Sequence, residues 1–502
     1  MGDSELIVRR AARSAQTQLL RGGLRREDDS SRSGCYIPRV HDLLRKHAAF
    51  FLVFTAAALA LRLLFLWKFS FVQGDSFVYG DIAKNWMLHG SYAMTDDGVT
   101  VPTLIRLPGY PAFLVAVWSV FGIEHYTAVM LVQIVVDVVT CFLVAELARA
   151  TAGERAARIA FALCALCVFF ANYDATALTE PLAIFFAALA LLGAVKGLER
   201  LRNGRWAGWW IVCGLATGAG ILLRPDGGIL LVALGVYLLL WMLVVGDARR
   251  VMAAGMIVAV LALAPLAPWA LRNQRVFGVF QPLAPRYANN PGEYAPTGFY
   301  RWARTWIVDY ISVEDIEWKV SGEEIDAGKL PARAFDSELE RQWTFALFNI
   351  YNRTLKMTPE LDAQFRSLAG ERIAAHPVRY YVWLPGLRVL DMWLRPRTEA
   401  LPLNSRWWEF RDDPRDAAIG SALGAANLAL IVLAVIGAVR GNVRFAGVML
   451  VWIVLRSAFL STLENPEPRY VLECYPAVLV LAAAVFQKRK GRESPWADCE
   501  IS

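Results

Sequence analysis

The chain has 502 residues, 56% of them apolar and 19% charged, with a formal net charge of +7 and a mean hydropathy of +0.38. Soluble domains carry about one quarter charged residues, so this composition excludes a disordered chain, a collagen-like repeat and a small disulfide scaffold. The apolar residues gather into blocks of about 17–25, the length that crosses a hydrocarbon layer of about 30 Å. The sequence reads as an all-α polytopic membrane protein.

In chain order, residues 1–48 form a basic tail without the apolar core and small-residue cleavage site of a signal peptide. Glu5 to Arg26 fits a basic amphipathic helix on an anionic membrane face and equally a flexible cytosolic tail. The first apolar block, 49–69, follows this tail and should run from inside to outside. Later blocks fall at 126–148, 155–173, 180–197, 207–223, 227–246, 251–271, 418–439, 443–461 and 470–487. About ten transmembrane helices with both termini in the cytoplasm result. The short apolar piece Tyr110 to Phe121 covers only about 18 Å as a helix. Placed at the outer interface, it keeps the basic loops at Arg155 and Arg158, Arg200 to Arg205, Arg249-Arg250, Arg440 to Arg444 and Lys488 to Arg492 inside.

The expected organisation is a cytosolic tail (1–48), an N-terminal transmembrane module (49–271) with a first outer loop at 70–125, a periplasmic loop domain (272–417), C-terminal transmembrane helices (418–487) and a second cytosolic tail (488–502). Within 272–417, Asp336 to Tyr351 and Pro359 to Ala375 read as helices. Abundant Trp and Tyr there suit the membrane interface, so this stretch reads as a mainly helical lid or small domain with outer juxtamembrane helices. No period of 20–50 residues marks a repeat array. Basic pairs such as Arg249-Arg250 flank spans instead of clustering with aromatics on one module, which excludes nucleic acid as a partner. The seven cysteines include none in 272–417, so a disulfide framework is not expected, and Cys164 and Cys167 read as packing residues within a span.

Charged residues converge at the outer ends of the expected spans. Asp75 and Asp81 follow the first; Arg106 precedes Pro108-Gly109-Tyr110-Pro111; Asp174 and Glu180 separate the third and fourth. Arg224 and Asp226 lie between the fifth and sixth, Arg272 ends the seventh, and Glu464, Glu467 and Arg469 open the tenth. Ionisable groups at membrane depth are costly unless paired or hydrated, which makes them functional candidates. Arginine forks suit a phosphate, and a carboxylate suits deprotonation of a hydroxyl. Together they fit transfer of a group from a lipid phosphate at the outer face. Each has a simpler structural role as well: Asp75 as a helix cap, Glu180 before Pro181 as a helix start, Arg224 and Arg272 as headgroup anchors, Arg106 and Arg469 as loop braces.

The strings around these residues resemble the GT-C superfamily of integral membrane glycosyltransferases, in particular relatives of protein O-mannosyltransferases and of the lipid A aminoarabinose transferase. The resemblance runs over about 49–487. It rests on Asp75…Tyr79…Ala83, Arg106-Leu-Pro-Gly-Tyr-Pro111, Leu178-Thr-Glu-Pro181, Leu223-Arg-Pro225, Pro268-Trp-Ala-Leu-Arg-Asn273 and Arg469-Tyr470…Pro476. It implies inverting transfer from a polyprenyl-phosphate sugar to a lipid, glycan or protein acceptor, with Asp75 as general base. Glu180 and Asp81 are candidates for a second acid. Arg272, Arg106, Arg469 and Arg224 would hold the donor phosphate, and Tyr79, Tyr110 and Tyr470 would line the substrate. Such enzymes often carry a second acid directly after the Asp; Ser76 stands there, so no cofactor is certain and a divalent metal stays open. The histidines form no recognisable metal cluster. The composition favours a bacterial inner membrane, which discounts Asn352-Arg-Thr354 as a glycosylation acceptor. A lipid or sugar transporter is the rival reading; it would favour repeats and interrupted helices near mid-membrane, whereas the charges noted here sit at span ends.

Overall fold

The computed structural model describes residues 40–72, 74–203, 208–245 and 247–487. Glu5 to Arg26, Cys35, Arg205, Lys488 to Arg492 and Cys499 lie outside them. The chain forms two compact units. Of the first, Met1–Lys46, the structure describes one short helix, Val40–Lys46. Everything below concerns the second.

Helices dominate, and a single two-stranded hairpin is the only sheet among the described residues. Among the described residues six helices are long and apolar enough to cross a membrane: Ala48–Phe69, Tyr126–Ala152, Glu180–Arg202, Pro225–Leu243, Ala248–Phe277 and Pro414–Arg440. The chain is an integral membrane protein. Two further expected spans are shorter helices, Trp209–Leu223 and Ala446–Leu460. The last expected span opens as a 3₁₀ segment, Pro468–Cys474, before the α-helix Tyr475–Ala484. Guanidinium groups take the carbonyls of that entry: Arg397 bonds Pro468 O, and Arg456 Nε bonds Tyr470 O at 2.9 Å.

The block at 155–173 is not one straight span. Glu154–Ala165 and Val168–Asp174 meet at 48°. Arg62, fully buried in the first span, explains the break. Its Nη1 bonds Ala165 O at 2.8 Å and its Nη2 bonds Cys164 O at 3.3 Å, satisfying carbonyls that a helix end leaves open. The same guanidinium pairs with Asp137 and with Asp174 at 3.1 Å. Asp174 thus belongs to an interior triad and not to the end charges, because a buried cation needs counter-charge beside it. Charges are therefore not confined to span ends. The described cysteines Cys141, Cys164, Cys167, Cys213 and Cys474 are buried and free.

Gly109–Phe121 is a helix of 13 residues, about 20 Å long and short of a full crossing. Gly109 lets it approach Trp209–Leu223: a Cβ there would lie 2.5 Å from Leu222 O. The hairpin pairs β1 (Ala93–Asp96) with β2 (Val99–Pro102) in antiparallel register, Thr95 opposite Thr100. Its two-residue turn is Asp97-Gly98, both with positive φ, as a type I′ hairpin requires.

The stretch after Phe277 packs its own aromatic core from Phe299, Trp302, Trp306, Phe348, Tyr351 and Phe365. The expected helices appear as Glu338–Thr354 and Pro359–Ala375. Asp362, fully buried, accepts the N–H groups of Gly298 and Phe299 at 2.9 and 2.8 Å. It thereby starts the helix Thr297–Ala303 where the helix's own amides lack partners. Bonds tie this core to one end of the bundle, hereafter the loop end: Arg286 to Glu464 at 2.7 Å, Arg388 to Ser461 O at 3.1 Å, and Tyr173 to Glu399 at 2.9 Å. The opposite end carries Arg444, which bonds Ala150 O at 2.7 Å.

Candidate active site

Asp75 stands at the first position of helix Asp75–His89, after Gly74 with φ of 54°. That backbone is one only glycine adopts readily. It turns the chain sharply after Phe71, whose N–H bonds Ala175 O at 3.0 Å. The cap position is Gly74, so Asp75 sits inside the first turn and its carboxylate faces the charges around it. Oδ1 accepts from Arg106 Nη2 at 2.7 Å, and Oδ2 lies 3.4 Å from Arg469 Nη2. Burial alone would raise this carboxyl; the Arg469 and Arg106 guanidinium groups outweigh it and hold the pKa down to about 2.

From Asp75 the charges continue inward as an alternating chain. Arg469 reaches Glu467 at 2.5 Å and Glu180 at 3.8 Å. Glu180, at the first turn of its helix beside Pro181, pairs with Arg224 at 3.1 Å. Arg224 also meets Asp226 at 3.2 Å and Glu473 at 3.3 Å, and Arg456 closes the chain on the same two carboxylates at 2.7 and 2.8 Å. The two ends differ most: the Asp75 side chain is 31% exposed and Arg456 0%, with Arg224 between them at 15%. The accessible edge is the Asp75–Arg106 end, and the Arg456 end is buried. Tyr470 lies beneath both Arg224 and Arg469, at 4.9 and 5.5 Å from its ring centre, and donates its hydroxyl to Glu467.

The structure brings together Asp75, Glu180, Arg106, Arg224, Arg469, Tyr79 and Tyr470. Tyr79 stacks edge-on against Tyr110 with Arg106 over its ring. Asp81 and Arg272 sit apart from the ion chain, and Tyr110 packs behind Tyr79. Asp81 is six residues along the helix from Asp75, on another face, and accepts from Thr95 N at 2.6 Å and Thr95 Oγ1 at 2.8 Å, which ties the helix to β1. Arg272 bonds Tyr92 O at 2.6 Å and Thr103 O at 2.7 Å among the rings of Tyr92, Trp269 and Phe277; it makes no direct contact with Asp75 and reaches Arg106 only through Tyr92, whose hydroxyl donates to Arg106 O at 3.0 Å. Tyr110 is fully buried and its hydroxyl bonds Gln133 at 2.8 Å, a packing position. Arg456 and Glu473 escaped the sequence analysis. Their signal was present, since each is an isolated charge inside an apolar block.

These side chains do not fit a divalent ion. Both Asp75 oxygens face guanidinium groups, Glu180 is paired, and among the described residues no three metal-ligating side chains are grouped to hold an ion.

With this geometry in hand, residues 102–271 match the family described as dolichyl-phosphate-mannose-protein mannosyltransferase, about a third of the chain. The archaeal oligosaccharyltransferase AglB from Archaeoglobus fulgidus, solved with an inhibitory peptide and a dolichol-phosphate, superposes at a TM-score of 0.50 with 14% identity, over 88% of this chain and 50% of that one. The two chains share a fold. A second Archaeoglobus fulgidus oligosaccharyltransferase structure, tethered to an acceptor peptide, agrees at a TM-score of 0.50 with 13% identity, over 87% of this chain and 49% of that one. ArnT from Cupriavidus metallidurans, bound to undecaprenyl phosphate, is similar at a TM-score of 0.39 with 16% identity, over 86% of this chain and 78% of that one. The chain spans about half the length of the archaeal enzymes it matches. A search of curated proteins finds no significant match.

Proposed function

We propose that this GT-C protein is a glycosyltransferase that moves a hexosyl or pentosyl group from a polyprenyl-phosphate donor to an acceptor hydroxyl at the loop end of the membrane. The observation that carries the reading is one carboxylate, Asp75, held between two guanidinium groups at the exposed edge of a buried ion chain. A base held to about 2 is weak. It strengthens when an incoming lipid phosphate takes Arg106 and Arg469 from it, since an arginine beside an aspartate lowers its pKa by about 1–3 units. Donor binding then arms the base. Asp75 takes the proton of the acceptor hydroxyl as that oxygen attacks the anomeric carbon. The carbon–oxygen bond to the phosphate breaks with inversion, and Arg106 and Arg469 stabilise the departing polyprenyl phosphate. Glu180, Glu467 and Tyr470 position Arg469. No step runs through a metal.

In this reading the loop end faces the periplasm of a bacterial inner membrane, with both termini in the cytoplasm. Residues 272–417 cover the site and limit hydrolysis of the donor, and Arg272 fixes the hairpin at its rim. The acceptor is a lipid, glycan or protein hydroxyl. The test is sugar release from labelled polyprenyl-phosphate sugars, with membrane extract as acceptor source, comparing wild type with Asp75→Asn at matched folding. Transfer lost in the variant supports the assignment and names the donor. Transfer retained moves the base to Glu180. Transfer from no donor, alongside donor-dependent uptake into vesicles, would replace the enzyme with a transporter.

A further inference from the structure

A groove in the described bundle lies away from the Asp75 chain and has no part in the chemistry above. It measures about 710 Å³ and runs between the helices Ala48–Phe69, Glu154–Ala165, Val168–Asp174 and Pro414–Arg440, within the size range of small-molecule sites. Its walls are apolar, with Phe54, Leu163, Phe169 and Leu433 among them, and its mouth carries Arg155 and Arg158. From Arg155 to Phe169 the two helix segments rise about 20 Å, roughly two-thirds of the hydrocarbon thickness.

Charge identifies the occupant. Among the described residues neither arginine has an ion-pair partner, and Arg158 Nε is buried without a hydrogen bond. A buried guanidinium N–H left unpaired is costly, so the groove is built around an anion at this depth. Both arginines lie just past Ala152, at the end of the bundle opposite Asp75. A polyprenyl phosphate with its phosphate at Asp75 would place only tail here and leave the guanidinium groups bare. Basic pockets between membrane helices are a known recognition device for acidic lipid headgroups.

We propose that this groove binds an anionic glycerophospholipid of the leaflet opposite the active site, with its phosphate on Arg155 and Arg158 and an acyl chain along Phe54, Leu163 and Leu433. The inference is independent of the transfer reaction. Its test uses the full chain in neutral detergent, incubated with equal amounts of phosphatidylglycerol and phosphatidylcholine of matched chains, with bound lipid counted by native mass spectrometry. The expected result is at least about tenfold retention of phosphatidylglycerol over phosphatidylcholine, following from two arginines near the headgroup. The preference should vanish in the double variant Arg155→Gln/Arg158→Gln and persist in Arg250→Gln, a basic residue outside the groove. Ala429→Phe, which fills the groove without touching charge, should lower retention of both lipids. Equal retention by wild type, or an unchanged preference in the double variant, would overturn the proposal. So would displacement of the lipid by millimolar inorganic phosphate, which would mark a phosphate site without chain recognition, or stronger retention of undecaprenyl phosphate than of phosphatidylglycerol, which would reassign the groove to the donor tail.

Discussion

Replacing Asp75 with asparagine should separate binding from chemistry. The carboxylate and the donor phosphate compete for the same two guanidinium groups, Arg106 at 2.7 Å and Arg469 at 3.4 Å. These pairs are 17–31% exposed by side chain, so solvent screens them and each is worth about 1 kcal/mol, the upper part of the range for accessible ion pairs. An incoming phosphate therefore gives up about 2 kcal/mol against Asp75, and asparagine, which keeps the shape without the charge, removes most of that cost. Undecaprenyl phosphate should bind Asp75→Asn about 10- to 30-fold more tightly, while kcat/KM for sugar transfer falls about 10²- to 10⁴-fold. The assay is equilibrium binding of labelled undecaprenyl phosphate to both proteins in the same micelles, with Arg106→Gln as the variant expected to weaken binding. Equal or weaker binding by Asp75→Asn would refute the competition and, with it, the idea that the donor arms the base.

Three further outcomes rest on other parts of the structure. Arg62→Leu leaves two buried carboxylates facing each other and should cost about 3–5 kcal/mol, whereas converting Arg62, Asp137 and Asp174 together to leucine should be near neutral; thermal unfolding in detergent separates the two, and equal losses would exclude an electrostatic role. Glu317 is pushed up to about 8 by burial and by Glu464 and Glu467. It binds a proton in the folded state that the unfolded chain has lost, so its contribution is intact below about pH 4.5 and falls as pH rises toward 8; Glu317→Gln should flatten that slope and raise Tm at pH 8, as thermal scans across pH would show. Asp362→Ala strips the partners of two buried amides and should destabilise the aromatic core of residues 297–369 by about 2–4 kcal/mol, visible as early loss of Trp302 and Trp306 protection in fluorescence quenching.

Block length and local composition placed the apolar helices, the short helix after Gly109 and the two helices of the loop region, because each depends on residues close together in the chain. The 48° break after Ala165 was hidden because its cause, Arg62, lies about a hundred residues earlier in the chain. The same reason explains the site. Asp75, Arg106, Glu180, Arg224 and Arg469 stood at block ends and were visible as a set; Arg456 and Glu473 lay within apolar blocks and were passed over. An isolated charge inside an apolar run is itself a statement that a partner exists, and Arg62, Asp137, Arg456 and Glu473 all obey it. Arg272 and Asp81 stood in the right strings, but sequence carries no information on which way a side chain turns, and the hairpin claimed both.

The ion chain joins opposite ends of the polypeptide: Asp75 meets Arg469 across 394 positions. At about 5–20 residues per second, a ribosome needs roughly 20–80 s to make the second after the first. Throughout that interval the inserted helices lack Arg456, Arg469 and Glu473, and the pocket around Asp75 has half its counter-charges. On the proposed function, a chain that stops before Arg469 would leave Asp75 with Arg106 as its near partner and should transfer no lipid-linked sugar.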